Sequence, residues 1–409
     1  MAMSSPPPRP DRAAPMDAPP LPGRAPAHAP MPQRPRRDRS GVVAAVVGAL
    51  GGVVVVVLMF AVVHLWAMHR YEQRADAAAA ARAEAVSIGL EALEARDAAL
   101  LAVRAGAHIV DAADDEIVSP DARAAVEAAT AELAASVDAL EEAAGGTIPQ
   151  EPDRPVWTWE LVVDAPLLEA HAIVAENTAD AIERRHGELA SARSDLDAAG
   201  TALFDTIDDV GAAYESAHIS AQTSAVLDFR DARAAAAAQP IVDDTAADAF
   251  VAYAASAEAL RRSDAAELAE KAGPLLATRL EIEEYARSIA GGVVLDFDWE
   301  QIVAGTGGAQ GIGGTATWNT ARGGFSTITL SHSVAETWPS ANARALVTHE
   351  VGHSITSKCW EKFDWKDPAA NEEWATAWAI SMGHTAPGNG TWAYGYPSQQ
   401  MIDLAATCR

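Results

Sequence analysis

The chain has 409 residues, 49% of them hydrophobic, which leaves room for two or three domains and excludes wholesale disorder. Its 57 Asp+Glu against 30 Lys+Arg give a net charge of −27; residues 1–40 carry +4 and residues 41–68 carry no charged side chain, so everything from His69 onward carries −31. A body this acidic repels phosphate backbones, so no nucleic-acid partner is expected, and two cysteines are too few for a disulfide-rich scaffold or a multi-cysteine metal cluster.

Residues 1–40 hold twelve of the 23 prolines, set among Arg, Ala and Ser. Such a composition cannot bury a core and predicts a disordered Pro/Arg-rich cytoplasmic tail. From Gly41 to Met68 run 28 residues in which His64 is the one strongly polar side chain. About 20 apolar residues suffice to cross a bilayer, so residues 41–68 are expected to be a single transmembrane helix. Arg34, Arg36, Arg37 and Arg39 precede it, whereas only His69 and Arg70 follow immediately. The positive-inside bias then gives a single-pass cell-membrane protein with its N-terminus cytoplasmic and residues 70–409 extracytoplasmic. A cleaved signal peptide is the rival reading; the basic leader and the apolar run are both long for one. Gly48 and Gly52 form a GxxxG, which lets membrane helices approach closely, so a homodimer through this helix is a further expectation.

Residues 69–290 read as an acidic helical extracytoplasmic region. Val86, Leu90 and Leu93 step at helical spacing, as do Leu100, Val103, Ala107 and Val110. Val126, Leu133, Val137 and Leu140 keep a heptad-like frame with Thr130 at its polar position, and Leu203, Ile207, Val210, Tyr214 and Ala217 follow without interruption. Breaks fall at Ser119-Pro120, between Gly145 and Pro155, and at Gln239-Pro240. The expectation is an antiparallel bundle or coiled coil, although Asp97 interrupts the first frame. His108, His171 and His218 read as surface or core residues.

The composition changes near Gly291: residues 291–409 hold eight of the eleven Trp and fifteen of the 28 Gly. Alternating runs predict strands at Val293–Phe297, Thr315–Trp318 and Ser326–Leu330. Between the first two, Gly305 to Gly314 contains six glycines but no Lys-Ser/Thr ending, so it reads as a turn and not a phosphate loop. A helix opened by Pro339-Ser340 follows the strands.

That helix contains His349-Glu350-Val351-Gly352-His353, an H-E-x-x-H. Histidines at i and i+4 share a helix face, so both can reach one Zn²⁺, while Glu350 is turned toward a metal-bound water as general base. From Ala345 to Ile355 no other acidic or basic side chain occurs. A catalytic zinc needs a third protein ligand and an open position. The pattern continuing to x-x-G-x-x-H is excluded, because Thr356 and Cys359 occupy its Gly and His positions. Supply of a Glu by a following helix remains, and Glu372 lies nineteen residues after His353 within Asn371-Glu372-Glu373-Trp374-Ala375-Thr376.

This arrangement over roughly residues 291–409 resembles the gluzincins, the zinc peptidases that include thermolysin and the small minigluzincins. The resemblance implies an α+β zincin-like metallopeptidase domain, zinc held by His349, His353 and Glu372, and Glu350 as the catalytic base. It implies a small residue and then an Asp at three and four positions beyond the ligand Glu. Ala375 and Thr376 follow Glu372 there, which matches it better than Glu373, with Thr376 in place of the Asp. His332, His384 and Asp364 are alternative ligands. The resemblance also makes Ser326–Leu330 an edge strand able to pair with an extended substrate, and it implies electrophilic help from Tyr394, Tyr396 or His384.

Cys359 and Cys408 form an isolated pair, for which an extracytoplasmic setting favours a disulfide over two buried thiols. The chain as a whole is therefore expected to be α-rich: a transmembrane helix, an external helical bundle or coiled-coil region, and a zincin-like domain hydrolysing a peptide or protein substrate. The alternative is a non-catalytic envelope sensor or scaffold with a structural or vestigial zinc site, and a third is a protease released from the membrane. Glu350 weighs against the second, since a structural site has no use for that carboxylate.

Overall fold

The structure is a computed structural model that describes the backbone of residues 39–409 and side chains from residue 48 onward. The tail expected over residues 1–40 lies outside the described residues, except that Arg39 and Ser40 open the first helix. The chain divides into two units, Met1–Met68 and His69–Arg409.

In the first unit the described residues form one helix. Every residue from 48 to 63 is exposed, and none of them carries a charge. This is a helix long and apolar enough to cross a membrane. It does not end where the apolar stretch ends: helix α1 (Arg39–Ala112) is continuous past Met68. The residues after Met68 are rich in Ala, Glu and Arg, and no Gly or Pro interrupts them before Gly89, so nothing local favours a break.

The second unit begins with a helical bundle. Helix α2 (Pro120–Ala144) starts on Pro120, whose missing N–H costs nothing in a first turn. Helix α3 (Thr158–Ala217) follows, then α4 (Thr223–Ala237), α5 (Asp244–Glu270) and α6 (Leu276–Ile289). Two breaks beyond those expected separate α3 from α4 and α5 from α6; the second contains Gly273-Pro274. The heptad-like positions Val126, Leu133, Val137 and Leu140 of α2 are buried, as are Leu203, Ile207 and Tyr214 of α3.

The expected frame of α1 does not hold. Val86, Leu90 and Leu100 are exposed, while the buried stripe is Ala78, Ala81, Ala85, Ala92, Ala99, Ala102 and Ala105, joined by Ile109. Small side chains bring the helices close: a Cβ on Gly106 of α1 would stand 3.2 Å from Thr130 Cγ2 of α2. Val86, Leu90 and Leu100 are thereby turned outward, while Val103 and Val110 of the expected frame pack against the core only in part.

Three strands follow, β1 (Val294–Glu300), β2 (Gly314–Asn319) and β3 (Phe325–Ser331), in the order β1-β3-β2. β1 runs parallel to β3 and β2 antiparallel to it. This corrects the expectation that Ser326–Leu330 is the edge strand. β3 pairs on both sides, with Ser326, Ile328 and Leu330 buried, and the outer strands are β1 and β2, of which β2 lies over the H-E-x-x-H helix. The order follows from the connections: a short turn joins β2 to β3 antiparallel, and β1 takes the other side.

Beyond the sheet lie α7 (His332–Thr337), α8 (Ala341–Ser354), α9 (Thr356–Cys359), α10 (Pro368–Ser381), α11 (Thr391–Tyr394) and α12 (Gln399–Ala405). Their core joins Trp374 and Trp378 of α10 to Phe297, Ile328, Leu330, Val347 and Val351. Ile282 and Ala286 of α6 belong to the same core, so packing crosses the expected boundary at 290/291. A buried ionic cluster reinforces that junction. Lys271 Nζ lies 3.2 Å from Glu283 and 3.4 Å from Glu267, and Glu283 also accepts from Arg287 and from Trp299 Nε1. Cys359 and Cys408 are joined as a disulfide with Cα atoms 6.3 Å apart, fastening the segment after α12 to the end of α9.

Candidate metal centre

Ser340 caps α8, its hydroxyl accepting from the Ala343 N–H at 3.2 Å. Every residue from Ala345 to Ser357 is buried, so this helix is central, not an exposed helix with ordinary histidines. It crosses α10 tightly. A Cβ on Gly352 would lie 2.9 Å from the Ala375 carbonyl oxygen, closer than real Cβ atoms come. The small residues Ala375, Ala377 and Ala379 of α10 are buried, as the sequence pattern suggested, and this crossing brings Glu372 opposite the two histidines.

Three donor atoms meet there. His349 Nε2 lies 3.2 Å from Glu372 Oε2 and 3.2 Å from His353 Nε2, and His353 Nε2 lies 3.3 Å from Glu372 Oε2. Among the described residues these three form the group able to hold a metal ion. His349 Nδ1 donates to the carbonyl of Asn389 at 3.0 Å, and His353 Nδ1 donates to Asn371 Oδ1 at 3.2 Å. A carbonyl can only accept, so the ring proton of each neutral imidazole is fixed on Nδ1 and a lone pair is left on Nε2. Two lone pairs and a carboxylate oxygen then face one another, which requires a cation between them, either a proton or a metal ion. Ligands of one tetrahedral ion at about 2.0 Å stand about 3.3 Å apart. The donors fit such an ion without moving, and two imidazoles with one carboxylate suit Zn²⁺.

Burial opposes the charge of Glu372, but the facing His349 and His353 rings, which when protonated donate to it from Nε2 and carry positive charge, outweigh burial and hold the carboxyl at about 2. Burial opposes charge on His353 as well; there Glu372, Glu350 and Asn371 together raise its pKa. Glu350 is nine-tenths or more buried, its Oε2 has no hydrogen-bond partner, and burial pushes its pKa up against the opposing pull of His349 and His353. Strand β2 lies over it: a Cβ on Gly314 would come within 2.6 Å of Glu350 Oε1.

The other expected residues fall as follows. Glu373 turns away, and its Oε1 accepts from Ser398 N at 3.0 Å and Ser398 Oγ at 3.1 Å, at the start of α12. His332 approaches Arg279, Asp364 accepts from the Lys366 N–H, and His384 Nε2 lies 2.9 Å from the Tyr285 hydroxyl; none joins the triad. Tyr394 does reach the site, its ring lying nearly parallel to His349 (8°) with centroids 6.1 Å apart. Burial, then the charges of Glu372 and Glu350, raise its pKa. Tyr396 is exposed. Thr376 Oγ1 stands 3.5 Å from His349 Nδ1, so the Asn389 carbonyl is the nearer partner.

Sequence reasoning missed Asn371, Asn389, Gly390 and Gly314. Asn389-Gly390 is a turn dipeptide that marks a loop but not what the loop touches. Gly390 has φ +94°, and a Cβ there would lie 2.8 Å from His349 Cε1. Beside the triad, Asn371 borders a cavity of about 660 Å³ that Trp318 at the end of β2, Trp360 and Trp365 also line.

No protein-family model, no curated protein and no solved structure matches this chain.

Proposed function

We propose that this chain is a membrane-anchored extracytoplasmic zinc metallopeptidase of gluzincin-like type. The observation that carries the reading is the convergence of His349 Nε2, His353 Nε2 and Glu372 Oε2 within 3.3 Å, with the unpartnered carboxyl of Glu350 beside them. His349, His353 and Glu372 would hold the ion, leaving a fourth position open. Bound zinc supplies Lewis-acid polarisation of a carbonyl and a water of lowered pKa.

The remaining work belongs to the chain. Glu350 takes the proton of the attacking water and returns it to the leaving amine; its buried, partnerless carboxyl suits that exchange, since no other group competes for the proton. Ser331 N donates to the Gly313 carbonyl at 2.8 Å, which sets the antiparallel alternation so that the N–H and C=O groups of Gly314, Ala316 and Trp318 face the free edge of β2. An extended peptide adding to that edge passes directly over Glu350. The tryptophan-lined cavity at the far end of β2 gives an apolar side chain of that peptide room. Tyr394, lying over His349, is the hydroxyl positioned to steady charge on the substrate.

The apolar part of α1 would be the anchor, with the acidic body outside. Among the described residues, a Cβ on Gly48 or Gly52 would meet nothing within 4 Å beyond its own stretch of helix, which leaves a face for a second copy of the helix. The deciding experiment measures zinc content and hydrolysis of a peptide library by the full chain, wild type against Glu350→Gln. Zinc should remain and hydrolysis fall by about 10²–10⁴-fold, the scale of a lost general base. Equal hydrolysis by both proteins removes the mechanism; zinc without hydrolysis in either removes the peptidase.

A further inference from the structure

Five apolar side chains gathered where α3 begins stand exposed among the described residues. Val156 is 77% exposed, Trp157 and Trp159 are each 65%, Val163 is 66% and Val162 is 48%. Leu161 and Leu168 of the same helix are buried, so α3 already has an apolar face turned to the core, and this is a second one. A single exposed leucine needs no explanation; two tryptophans and three valines within eight residues do.

Their place in the fold narrows the occupant. After α2 the segment 145–157 runs beside α1: Arg82 Nη1 donates to the Pro149 carbonyl at 3.2 Å, and Arg154 pairs with Glu72. The chain then reverses, the Trp157 N–H bonding Glu160 Oε2 at 3.3 Å, and α3 leaves with Glu169 paired to Arg74 at 2.9 Å. The segments that enter and leave the reversal, at Arg154 and Glu169, therefore lie beside residues 72–74, at the edge of this unit nearest in sequence to Met68. Glu72 is four residues beyond Met68, so at most about 14 Å of chain separates them in any conformation. Tryptophan is the side chain whose flat apolar body and single N–H suit the boundary between acyl chains and headgroups.

We propose that the Val156–Val163 reversal seats in the interfacial layer of the bilayer that anchors α1, giving the extracytoplasmic body a second point of attachment. The proposal rests on reading residues 41–68 as a membrane anchor. Glu151, Asp153, Glu160 and Asp164 surround the patch against Arg154, so the contact is with the apolar boundary of neutral lipids and not with an anionic surface. Two attachment points would restrict the tilt of the body, and with it the height at which the edge of β2 meets a substrate.

The test uses the full chain in phosphatidylcholine nanodiscs, with one nitroxide label per variant and the Cys359–Cys408 disulfide intact. Labels go at Val156→Cys and Val163→Cys, with Val57→Cys as the reference inside the apolar helix. Asp209→Cys is the aqueous reference, about 75 Å further along α3. Labels at 57, 156 and 163 should collide with oxygen and lose accessibility to a water-soluble nickel chelate, while the label at 209 shows the reverse. Adding Trp157→Ser with Trp159→Ser should return the label at 163 to the chelate. If 57 is in lipid but 156 and 163 collide with the chelate as freely as 209, the proposal is overturned and the anchor stands. If 57 itself is in water, the anchor fails and takes the proposal with it. Labels reached by neither reagent and broadened by one another would make the patch an interface between copies, which also overturns the lipid contact.

Discussion

Gly390 offers the sharpest test of how the candidate centre is held. The loop ending in Asn389 and Gly390 presses its backbone on the His349 ring: the Asn389 carbonyl takes the Nδ1 proton at 3.0 Å, and a Cβ on Gly390 would lie 2.8 Å from Cε1, 3.0 Å from Nδ1 and 2.5 Å from Thr376 Oγ1. Gly390→Ala therefore carries two costs. The φ of +94° penalises any L side chain by about 1–2 kcal/mol. The methyl must also move the loop or the imidazole by several tenths of an ångström, stretching the bond that fixes the Nδ1 tautomer. Loss of such an outer partner lowers metal affinity by about 10–100-fold, or about 1.4–2.7 kcal/mol. Gly383 is the matched control, with φ +93° and nothing within 4 Å of its Cβ position. Both variants should unfold at lower temperature when stripped of metal, but only Gly390→Ala should lose zinc affinity in competition against a chromogenic chelator. Equal zinc affinity in Gly390→Ala and wild type would refute the positioning role of the loop, and equal weakening in both variants would reduce it to backbone strain.

Four further outcomes follow from the same geometry. Glu372→Ala should release zinc, whereas Glu373→Ala should keep it and lose only the bonds to Ser398, about 1 kcal/mol of stability by denaturant titration; the reverse pattern would move the ligand by one residue. Gly314→Ala puts a methyl where Glu350 Oε1 would be 2.6 Å away, so zinc should stay while peptide hydrolysis falls by about 10²-fold, and unchanged turnover would sever β2 from the chemistry. Cys359→Ala with Cys408→Ala opens a loop whose ends are 49 residues apart and should cost about 4 kcal/mol in the chain-entropy picture, read as a lower urea midpoint; an unchanged midpoint argues that the C-terminal segment is held without the bond. Lys271→Ala removes one of the two cations that face the buried carboxylate of Glu283, leaving Arg287, and should destabilise by about 1.5–3 kcal/mol, the scale of a lost hydrogen bond to a charged group; an unchanged urea midpoint would contradict this.

What could be read in advance divides along physical lines. H-E-x-x-H carries its own geometry, because a helix repeats every 3.6 residues wherever it sits, so His349 and His353 share a face by sequence alone. Glu372 and the small residues after it were legible for a related reason: a helix that presents Ala375, Ala377 and Ala379 must lie close against a partner. The heptad positions of α2 also held, since Val and Leu are unambiguous core residues there. Helix α1 misled because periodicity was counted in large aliphatics, whereas its packing uses alanine, which is both the best helix former and the smallest apolar side chain. Pairing order is set by the whole sheet, and nothing within Ser326–Leu330 distinguishes a central strand from an edge. Asn389 was invisible for a deeper reason: its contribution is a backbone carbonyl, which every residue has, and only the turn delivers it to His349.

That carbonyl changes the charge in the site as well as its geometry. The gluzincin-like reading proposed above carries the expectation of an aspartate where Thr376 stands, and a carboxylate there would orient His349 while adding negative charge beside Glu372 and Glu350. Glu350 is already buried with its pKa raised, mainly by burial and further by the charge of Glu372. A third carboxylate would raise it again, because like charges in a low-dielectric pocket disfavour ionisation. The Asn389 carbonyl holds the Nδ1 proton at 3.0 Å with no net charge, so the imidazole is oriented without that cost. With Thr376 at that position the histidine is held all the same, by a group in the loop before α11 and not by a side chain of α10. Rigidity becomes the condition for this to work: a side-chain carboxylate on a helix is placed by the helix, but a loop carbonyl is placed only if the loop is fixed. Asn389 is buried, its Nδ2 donates to the His384 carbonyl at 3.0 Å, and its Oδ1 accepts from Thr391 N at 3.0 Å and from the Thr391 hydroxyl at 2.7 Å. The side chain thus ties the loop on both sides while its backbone holds the imidazole.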